Sequence, residues 1–343
     1  MNRLKQLFMF LLILAFALVA GNADARKSWK DMNLDSCSFL GNTVVPSGAT
    51  ITVESGGAII FPNPSGGTDY FVCGNSGSDS ANGLSWATAM AKLSVAMAAS
   101  HANIAASTAG YAARNRIFAK GDEFVEDITK LAQKTDIIGV GSNAGHGKAG
   151  VTGSWIIPDT VNYMGCHFYN VMFNDTGATA IFDIDTQSGL EFHGCLFDSG
   201  PTTTIALQVE ESNFLVVEGC EFSRVSASLG FSASAIKIMT DADPVYSVRI
   251  EGNIISTAGI GIDIDETAVY NGWIVDNYIR ATGLTIDDES QDVFVINNRL
   301  ITDVTTTTST AGYDFNIQLS SGNIQMGVTG LGDTIPFAKI AED

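Results

Sequence analysis

A two-residue pattern recurs through the second half of the chain and constrains its fold more than any other feature. The first residue of each pair is Gly, Asn or Asp, the three residues that best tolerate a left-handed backbone. Successive pairs lie 21–33 residues apart. The pairs are Asn170-Val171, Gly194-Cys195, Gly219-Cys220, Gly252-Asn253, Asp276-Asn277, Asn297-Asn298 and Gly322-Asn323. Each pair therefore predicts a tight corner.

The residues around these corners alternate between apolar and polar, as they do in β-strands. Leu190 and Phe192 precede Gly194 by even steps, and Phe197 follows it. A repeat of about 24 residues built from short strands is typical of a solenoid, because each coil can bury its apolar face only against its neighbours. The sequence predicts an all-β solenoid of stacked parallel coils.

Stacked coils place equivalent residues in columns, and two internal columns are predicted. Phe173, Phe197 and Phe222 form the first column, which continues as Ile255, Ile279 and Leu300. The second follows the corners Gly194, Gly219 and Gly252, where Cys195 and Cys220 lead into an asparagine ladder of side-chain amides bonded to backbone. The predicted rungs of that ladder are Asn253, Asn277, Asn298 and Asn323. The one interval of 33 residues predicts an insertion within Ser226–Ser234.

With these repeats the chain resembles the right-handed, single-stranded parallel β-helix superfamily of pectin and pectate lyases and phage tailspikes. The resemblance covers about Asp69 to Gly330. It includes the entry segment Gly77–Ala89, which is similar to the turn and helix that open many such domains, particularly virion-associated and uncharacterised metagenomic ones. This pectin-lyase-like scaffold carries lyases, hydrolases, adhesins and inert stalks, so the fold does not assign a function.

The N-terminal residues 1–25 are typical of a secretory signal peptide. Arg3 and Lys5 precede an apolar run from Leu7 to Gly21, and Ala23-Asp24-Ala25 supplies a small-residue cleavage site. The alternative is an uncleaved membrane anchor, which the short run of 15 apolar or small residues disfavours. The chain is therefore predicted to be secreted or displayed on a cell or virion surface, with no membrane contact after cleavage.

Four further segments complete the predicted organisation. Residues 26–68 form a small strand-and-turn module, and residues 69–330 form the β-helix. Within it, helix 85–100 begins at the N-cap Ser85 and covers the open end of the solenoid, where strand edges would otherwise be exposed. Residues 331–343 form a C-terminal cap or tail.

Net charge and cysteine count limit the possible partners. The formal net charge of −19 argues against nucleic acid, anionic lipid and uncompensated binding of acidic polysaccharide. Cys166, Cys195 and Cys220 fall on repeat strands and are predicted to pack inside as small apolar groups. Cys37 and Cys73 flank the N-terminal module, and whether they pair is left open, because the sequence cannot test the geometry.

A group of acidic residues is predicted on one outer face of the solenoid. Between buried apolar positions, two outward columns alternate along the chain. The first contains Asp183, Gln208, Lys237, Asp263 and Thr285, and the second contains Asp185, Glu210, Met239, Asp265 and Asp287. Carboxylates about 4.8 Å apart either bind a cation such as Ca²⁺ or raise one pKa, and both outcomes suit a polysaccharide enzyme. The alternative is a solvated acidic face without a specific role.

The catalytic motifs of the resembling enzymes are incomplete. Gly145-His146-Gly147 resembles the Gly-His-Gly motif of polygalacturonases, but the chain lacks their Asn-Thr-Asp motif. A lyase would also need an arginine or lysine base beside an acidic calcium site, and none of Arg249, Arg280 and Arg299 falls in the acidic columns. These differences favour a protein without catalytic activity and without a cofactor.

Another predicted outer face carries an apolar patch. Trp273, Val275, Phe294 and Ile296 occupy outward columns on two consecutive coils, next to Arg249. Exposed patches of this kind mark partner interfaces or sugar-stacking platforms. The alternative is that a loop covers the patch.

The sequence therefore predicts a structural or adhesive β-helix that forms a homo-oligomer through the Trp273/Phe294 face and has a possible surface polysaccharide ligand. The alternative function is a polysaccharide lyase or glycoside hydrolase that acts at the acidic face, with Asp185, Glu210, Lys237, Asp263, Asp265 and Asp287 as candidate residues.

Overall fold

A computed structural model describes a large part of the C-terminal four fifths of the chain. The described residues are 66–106, 113–120, 124–140, 149–158, 163–175, 179–200, 203–223, 230–239, 244–265, 269–284, 286–288, 293–301, 304–306, 312–314, 317–318, 323–324, 328–329 and 338–339. The predicted signal peptide, the strand-and-turn module as far as residue 65, Cys37, His146, Thr285 and the insertion residues 224–229 lie outside these ranges. The predictions that depend on them, including a Cys37–Cys73 pair, stay predictions.

The described residues form a parallel β-helix, which confirms the predicted fold. Strands from successive coils pair in register into three sheets, each containing one strand per coil. Sheet A contains β1 (Asp69–Cys73), β2 (Asn115–Lys120), β4 (Thr135–Val140), β7 (Cys166–Tyr169), β10 (Glu191–His193), β13 (Val216–Glu218), β16 (Val245–Glu251), β19 (Val269–Val275), β22 (Val293–Ile296), β25 (Gly312–Asp314) and β28 (Val328–Thr329).

The other two sheets complete each coil. Sheet B contains β3 (Phe124–Val125), β5 (Ala149–Thr152), β8 (Val171–Asp175), β11 (Leu196–Ser199), β14 (Glu221–Ser223), β17 (Ile254–Thr257), β20 (Tyr278–Ala281), β23 (Arg299–Leu300), β26 (Ile317–Gln318), β27 (Asn323–Ile324) and β29 (Ala338–Lys339). Sheet C contains β6 (Trp155–Ile157), β9 (Ala180–Asp185), β12 (Ile205–Glu210), β15 (Ser234–Met239), β18 (Ile260–Ile264), β21 (Ile286–Asp288) and β24 (Val304–Thr306). The 33-residue interval after Gly219 is eight residues longer than the one before it, and the extra residues are divided between two places. Glu210 pairs with Met239, so four of them lie between β14 and β15, as predicted, and Val216 pairs with Arg249, so the other four lie between Met239 and Arg249, outside the predicted stretch.

The phenylalanine column lies inside the coils. Phe173, Phe197 and Phe222 pair in register on β8, β11 and β14 and are fully buried. Their ring centroids are 5.2 Å and 4.5 Å apart along the column. The column continues as predicted through Ile255, Ile279 and Leu300. Cys166, Cys195 and Cys220 are also buried, which confirms their predicted packing inside the solenoid.

The corners between sheets A and B have the predicted left-handed backbone. The φ angles of six corner residues lie between 54° and 65° at Asn170, Gly194, Gly219, Gly252, Asp276 and Asn297. Asn253, Asn277 and Asn298 follow three of these corners and form the internal ladder. The Oδ1 atom of Asn277 accepts from the backbone N and the Nδ2 of Asn253, both at 2.9 Å, and Asn298 accepts in the same way from Asn277.

The prediction for the last rung, Asn323, is wrong. Arg299 of β23 pairs in parallel with Ile317 of β26, whereas Asn323 of β27 pairs antiparallel with Gln318. The chain reverses direction after β26, so the ladder register does not extend to Asn323. Strand β24 begins the Thr-rich stretch that follows β23 and pairs in parallel with β21.

A helix covers the first coil, but it begins later than predicted. Ser85 is the N-cap of a separate 3-10 helix over Trp86–Thr88 and accepts a hydrogen bond from the backbone N of Thr88. Helix α1 runs over Leu93–Ala106. Along the chain, α1 lies between β1 and β2, which both belong to sheet A. Later coils have strands of sheets B and C in this place. No helix within the described ranges is both long and apolar enough to cross a bilayer.

Contacts at the N-terminus of α1 and on its buried side fix this helix on the solenoid. The carboxylate of Glu126 accepts hydrogen bonds from the backbone N atoms of Leu93 (2.6 Å) and Ser94 (3.1 Å), which are otherwise unsatisfied at a helix N-terminus. Leu93 and Met97 are buried in the same apolar cluster as the inward residues of β1 and β2. The helix therefore closes the apolar interior at this end, as predicted.

Candidate functional site

The outer surface of sheet A contains the predicted apolar patch and a longer series of polar side chains. The register of the parallel strands aligns two outward columns. Column 1 is Asp69, Arg116, Asp136, His167, Glu191, Val216, Arg249, Trp273 and Phe294. Column 2 includes Tyr169, His193, Glu218, Glu251, Val275 and Ile296.

The apolar end of this face has the predicted arrangement. Trp273 pairs with Phe294, and their rings stack with centroids 4.8 Å apart and planes 26° apart. The Trp273 side chain is 43% exposed, while Phe294, Val275 and Ile296 are half-buried. Arg249 lies directly beside Trp273 on β16. The patch is therefore accessible within the described part of the chain.

A groove with a volume of about 310 Å³ lies next to Trp273. It crosses the coils of β10, β13, β16 and β19, and its walls combine aromatic, polar and charged side chains. The residues are Glu191, Phe214, Val216, Ser247, Val248, Arg249, Asn271 and Trp273. An aromatic surface with convergent hydrogen-bonding groups is the usual composition of a site for an organic ligand.

One wall of the groove is built from a second column of left-handed residues, at the start of sheet A. Phe214, Ser247 and Asn271 have φ angles of 60°, 63° and 60° and lie two residues before Val216, Arg249 and Trp273. The Nδ2 of Asn271 donates to the Oγ of Ser247 at 3.3 Å. Lys134, Gly165 and Gly189 occupy the equivalent positions of earlier coils, also with positive φ. The left-handed residues bend successive strands at this point, and Phe214, Ser247 and Asn271 therefore form a wall beside the column of Val216, Arg249 and Trp273.

Beyond the groove, the same face continues as a network of ionisable side chains. Arg114 donates to Oδ1 of Asp136 at 2.7 Å and contacts Nδ1 of His167 at 3.1 Å. Gly165 leaves room for this guanidinium, because a Cβ there would meet its Nη2 at 3.0 Å. Burial raises the pKa of Asp136, but the His167 hydrogen bond and the Arg114 charge outweigh burial, and the pKa lies below its usual value of 3.8.

The network extends to the groove through alternating carboxylates and imidazoles. Oε2 of Glu191 lies 3.5 Å from Nδ1 of His167 and 2.9 Å from Nε2 of His193. Nδ1 of His193 is 3.3 Å from Oε2 of Glu218, which accepts from Nη2 of Arg249 at 2.8 Å. Glu191 and Arg249 belong to both the network and the groove wall, so the two features form one continuous site.

Sheet C carries the predicted acidic face, with one error of register. Asp183, Gln208, Lys237 and Asp263 form one column, and Asp185 lies beside Glu210, as predicted. Asp287, however, pairs with Asp263 and not with Asp265. Alternation along a strand cannot distinguish a shift of two residues.

The acidic face is only partly compensated. Lys237 Nζ lies 3.9 Å from both Asp263 Oδ2 and Asp265 Oδ1. Burial raises the pKa of Asp183 above its usual 3.8; the hydrogen bond from Gln208 opposes that rise and Asp185 adds to it. No group of three or more His, Cys, Asp or Glu residues that could hold a metal occurs among the described residues.

Sequence reasoning found Trp273, Phe294 and Arg249 but missed the groove wall and the imidazole network. The network lies in the same outward columns as Trp273 and Val275, so it could have been found by extending those columns back to Glu191, His167 and Asp136. Nothing in the periodicity indicates Phe214, because it lies in a turn before its strand.

Comparisons with known proteins add little to this geometry. No protein-family model matches the chain, and no curated protein sequence matches it. Two solved structures are similar. Open reading frame 18 of Geobacillus virus E2 has 10% identity and a TM-score of 0.31, and the alignment covers 63% of this chain and 55% of that one.

The second structure is the catalytic unit of a thermostable GH87 alpha-1,3-glucanase from Streptomyces thermodiastaticus strain HF3-3. It has 12% identity and a TM-score of 0.30, with 66% of this chain and 61% of that chain covered. The chain thus spans less than two thirds of either protein. The resemblance to pectin-lyase-like and tailspike-like proteins beyond the parallel β-helix itself stays a prediction.

Proposed function

We propose that this protein is a secreted or surface-exposed β-helix that binds polysaccharide through the outer face of sheet A and has an adhesive role without catalysis. The observation that carries this proposal is the groove beside Trp273, which an exposed indole lines together with Ser247, Asn271 and Arg249 and which extends to Glu191. Aromatic faces pack against the apolar faces of sugar rings, while polar neighbours bind the hydroxyl groups.

Affinity electrophoresis and calorimetry with a panel of soluble polysaccharides test this proposal. Replacement Trp273→Ala should weaken binding about tenfold or more, because the stacking surface is lost. Tyr278→Ala is the matched control, since Tyr278 is an exposed aromatic residue on sheet B and lies outside the groove. Absence of binding to every polysaccharide in the panel would contradict the proposal.

The same face is the predicted homo-oligomer interface, and the two uses can be separated by experiment. Light scattering on the wild-type protein and on Trp273→Asp distinguishes them. An oligomer that dissociates in this variant assigns the patch to self-association, whereas a monomeric wild-type protein that binds polysaccharide assigns it to a ligand.

A polysaccharide lyase or hydrolase at sheet C is the second candidate function. It is favoured by Lys237 between Asp263 and Asp265 and by the raised pKa of Asp183, since paired carboxylates with separated pKa values suit acid–base chemistry. Incubation with the same panel, with and without Ca²⁺, should release neither reducing ends nor unsaturated products if the protein only binds. Turnover that disappears in Asp263→Asn or Lys237→Ala would establish the enzyme instead.

A further inference from the structure

Phe214 occupies a position that neither its backbone nor its surroundings explain. Its φ angle is 60°, in the left-handed region that is unfavourable for bulky residues, and its side chain is 60% exposed. The equivalent residues of the neighbouring coils are Gly189, Ser247 and Asn271, which either tolerate a left-handed backbone or have a small side chain. An exposed ring held on a strained backbone is a feature that a ligand contact would account for.

Phe214 and Trp273 belong to the same groove, two coils apart. Glu191 lies on the coil before that of Phe214. With about 4.8 Å between coils, Glu191 and Trp273 are about 14 Å apart along the solenoid axis. The groove therefore has room for a chain of several sugar units that runs along the axis and crosses the strands.

Glu191, at the other end of the groove, is arranged as a hydrogen-bond acceptor. Both of its contacts with imidazoles end on Oε2. In the described part of the chain, its Oε1 atom has no hydrogen-bond or ion-pair contact. Because His167 and His193 hold this carboxylate in place, Oε1 is oriented in advance to accept from a hydroxyl group.

The local charge indicates which polysaccharides fit. Arg249 already contacts two carboxylates, Glu218 at 2.8 Å and Glu251 at 3.3 Å, and Glu191 adds a third carboxylate two coils away. The whole chain has a net charge of −19. A uronate or sulfate group would meet like charges here, whereas a neutral sugar offers hydroxyl donors and no opposing charge.

We propose that the groove takes a neutral polysaccharide, with Phe214 and Trp273 stacking on its sugar rings and Glu191 accepting from its hydroxyl groups. This rests on the proposed polysaccharide-binding function and deepens it by naming the ligand class, the direction of the ligand and Phe214 as a binding residue. His193 is a positioning residue, because it contacts Glu191 at 2.9 Å and is absent from the groove lining.

Calorimetry on the full chain tests the ligand class with three kinds of probe. These are neutral polysaccharides (glucan, mannan and xylan), anionic ones (polygalacturonate and dextran sulfate) and the cationic chitosan. At least one neutral probe should bind at least about tenfold more tightly than the anionic probes, and its binding should persist at high ionic strength, where non-specific attraction of chitosan to the negative charge is screened. Preferred binding of an anionic probe, or of chitosan at high ionic strength, overturns the ligand class but leaves the proposed function intact, whereas no binding at all contradicts the proposed function itself.

The role of Phe214 is tested by Phe214→Asn, which installs the residue found at the equivalent position 271. The variant should bind the neutral probe about tenfold more weakly, while its melting temperature stays the same or rises, because Asn tolerates the left-handed backbone better. Unchanged affinity would overturn the assignment. His193→Asn should weaken binding of the neutral probe, although His193 does not line the groove. Tyr278→Ala should leave the affinity for the same probe unchanged.

Discussion

The outer faces of sheets A and C place carboxylates in opposite electrostatic surroundings on the same set of coils. On sheet A, Asp136 contacts both Arg114 and His167, and its pKa is lowered. On sheet C, Asp183 has a hydrogen bond from the neutral amide of Gln208 and another carboxylate nearby, and its pKa is raised. The backbone spacing is common to both faces. Residue type at each outward position therefore decides whether neighbouring charges stabilise or oppose one another.

A second difference concerns the shape of the two faces. Sheet A is bent at its start by the left-handed residues Phe214, Ser247 and Asn271, and the bend forms a groove wall. The strands of sheet C contain a similar break, because the register of β12 with β15 skips the pair Ala206 and Ala235, so sheet A is distinguished by the groove beside its bend. A ligand-binding role is therefore better supported on sheet A.

The comparison requires that one rigid interior supports both faces, and the largest effect is expected there. Phe197→Ala should lower the free energy of unfolding by about 3–5 kcal/mol, because it opens a cavity between Phe173 and Phe222. Urea denaturation followed by circular dichroism measures the change. Tyr278→Ala, on the exposed surface, should change stability by less than about 0.5 kcal/mol. Equal losses in the two variants would show that the interior column is not the common support.

An intermediate effect is expected from the compensated face. Asp136→Asn should cost roughly 1.5–3 kcal/mol at pH 7, since it removes charge-assisted hydrogen bonds with Arg114 and His167. A lowered carboxylate pKa stabilises the folded state above its unfolded value of about 3.8, and this contribution is lost as pH falls through the lower folded pKa. In denaturation at pH 7 and pH 2.5, the difference should therefore be largest at pH 7 and smaller at pH 2.5. A loss of equal size at both pH values would mean that charge is not its cause.

The smallest effect, with the opposite sign, is expected from the acidic face. Because the pKa of Asp183 is raised, its contribution to stability is present at low pH and is lost as pH rises through the raised value. Asp183→Asn removes this cost and should stabilise the protein at pH 7 by up to about 0.5 kcal/mol, with no gain at pH 2.5. Destabilisation as large as that of Asp136→Asn would show that the two faces do not differ electrostatically.

Much of the fold was predictable from the sequence because the information is local and repeated. A left-handed corner at Gly194 or Gly252 needs only the residue at that position. Alternation around each corner then identifies the inward phenylalanines, and stacking at a regular interval aligns them. The same reasoning placed Trp273 beside Phe294 on the outer surface.

Predictions failed where the repeat was interrupted. Asn323 keeps the corner pattern, but the chain has already reversed into an antiparallel strand. Ser85 is a good N-cap, yet it caps a 3-10 turn and not α1. In both cases the local residue preference was satisfied by a structure other than the repeating one. The error at Asp287 has another cause: it lies 11 residues after the corner Asp276, as Asp263 lies 11 after Gly252, but apolar alternation fits a register shifted by two residues equally well.

The sequence by itself determined the coil architecture, the buried columns and which strands carry aromatic or acidic residues on their outer faces, because backbone preference and alternation act within a few residues. Only the tertiary structure decided which side chains meet. The contacts of Glu191 with His167 and His193, and the meeting of Phe214 and Trp273 in one groove, join residues on different coils. Such contacts depend on register and side-chain geometry over distances that no local pattern records.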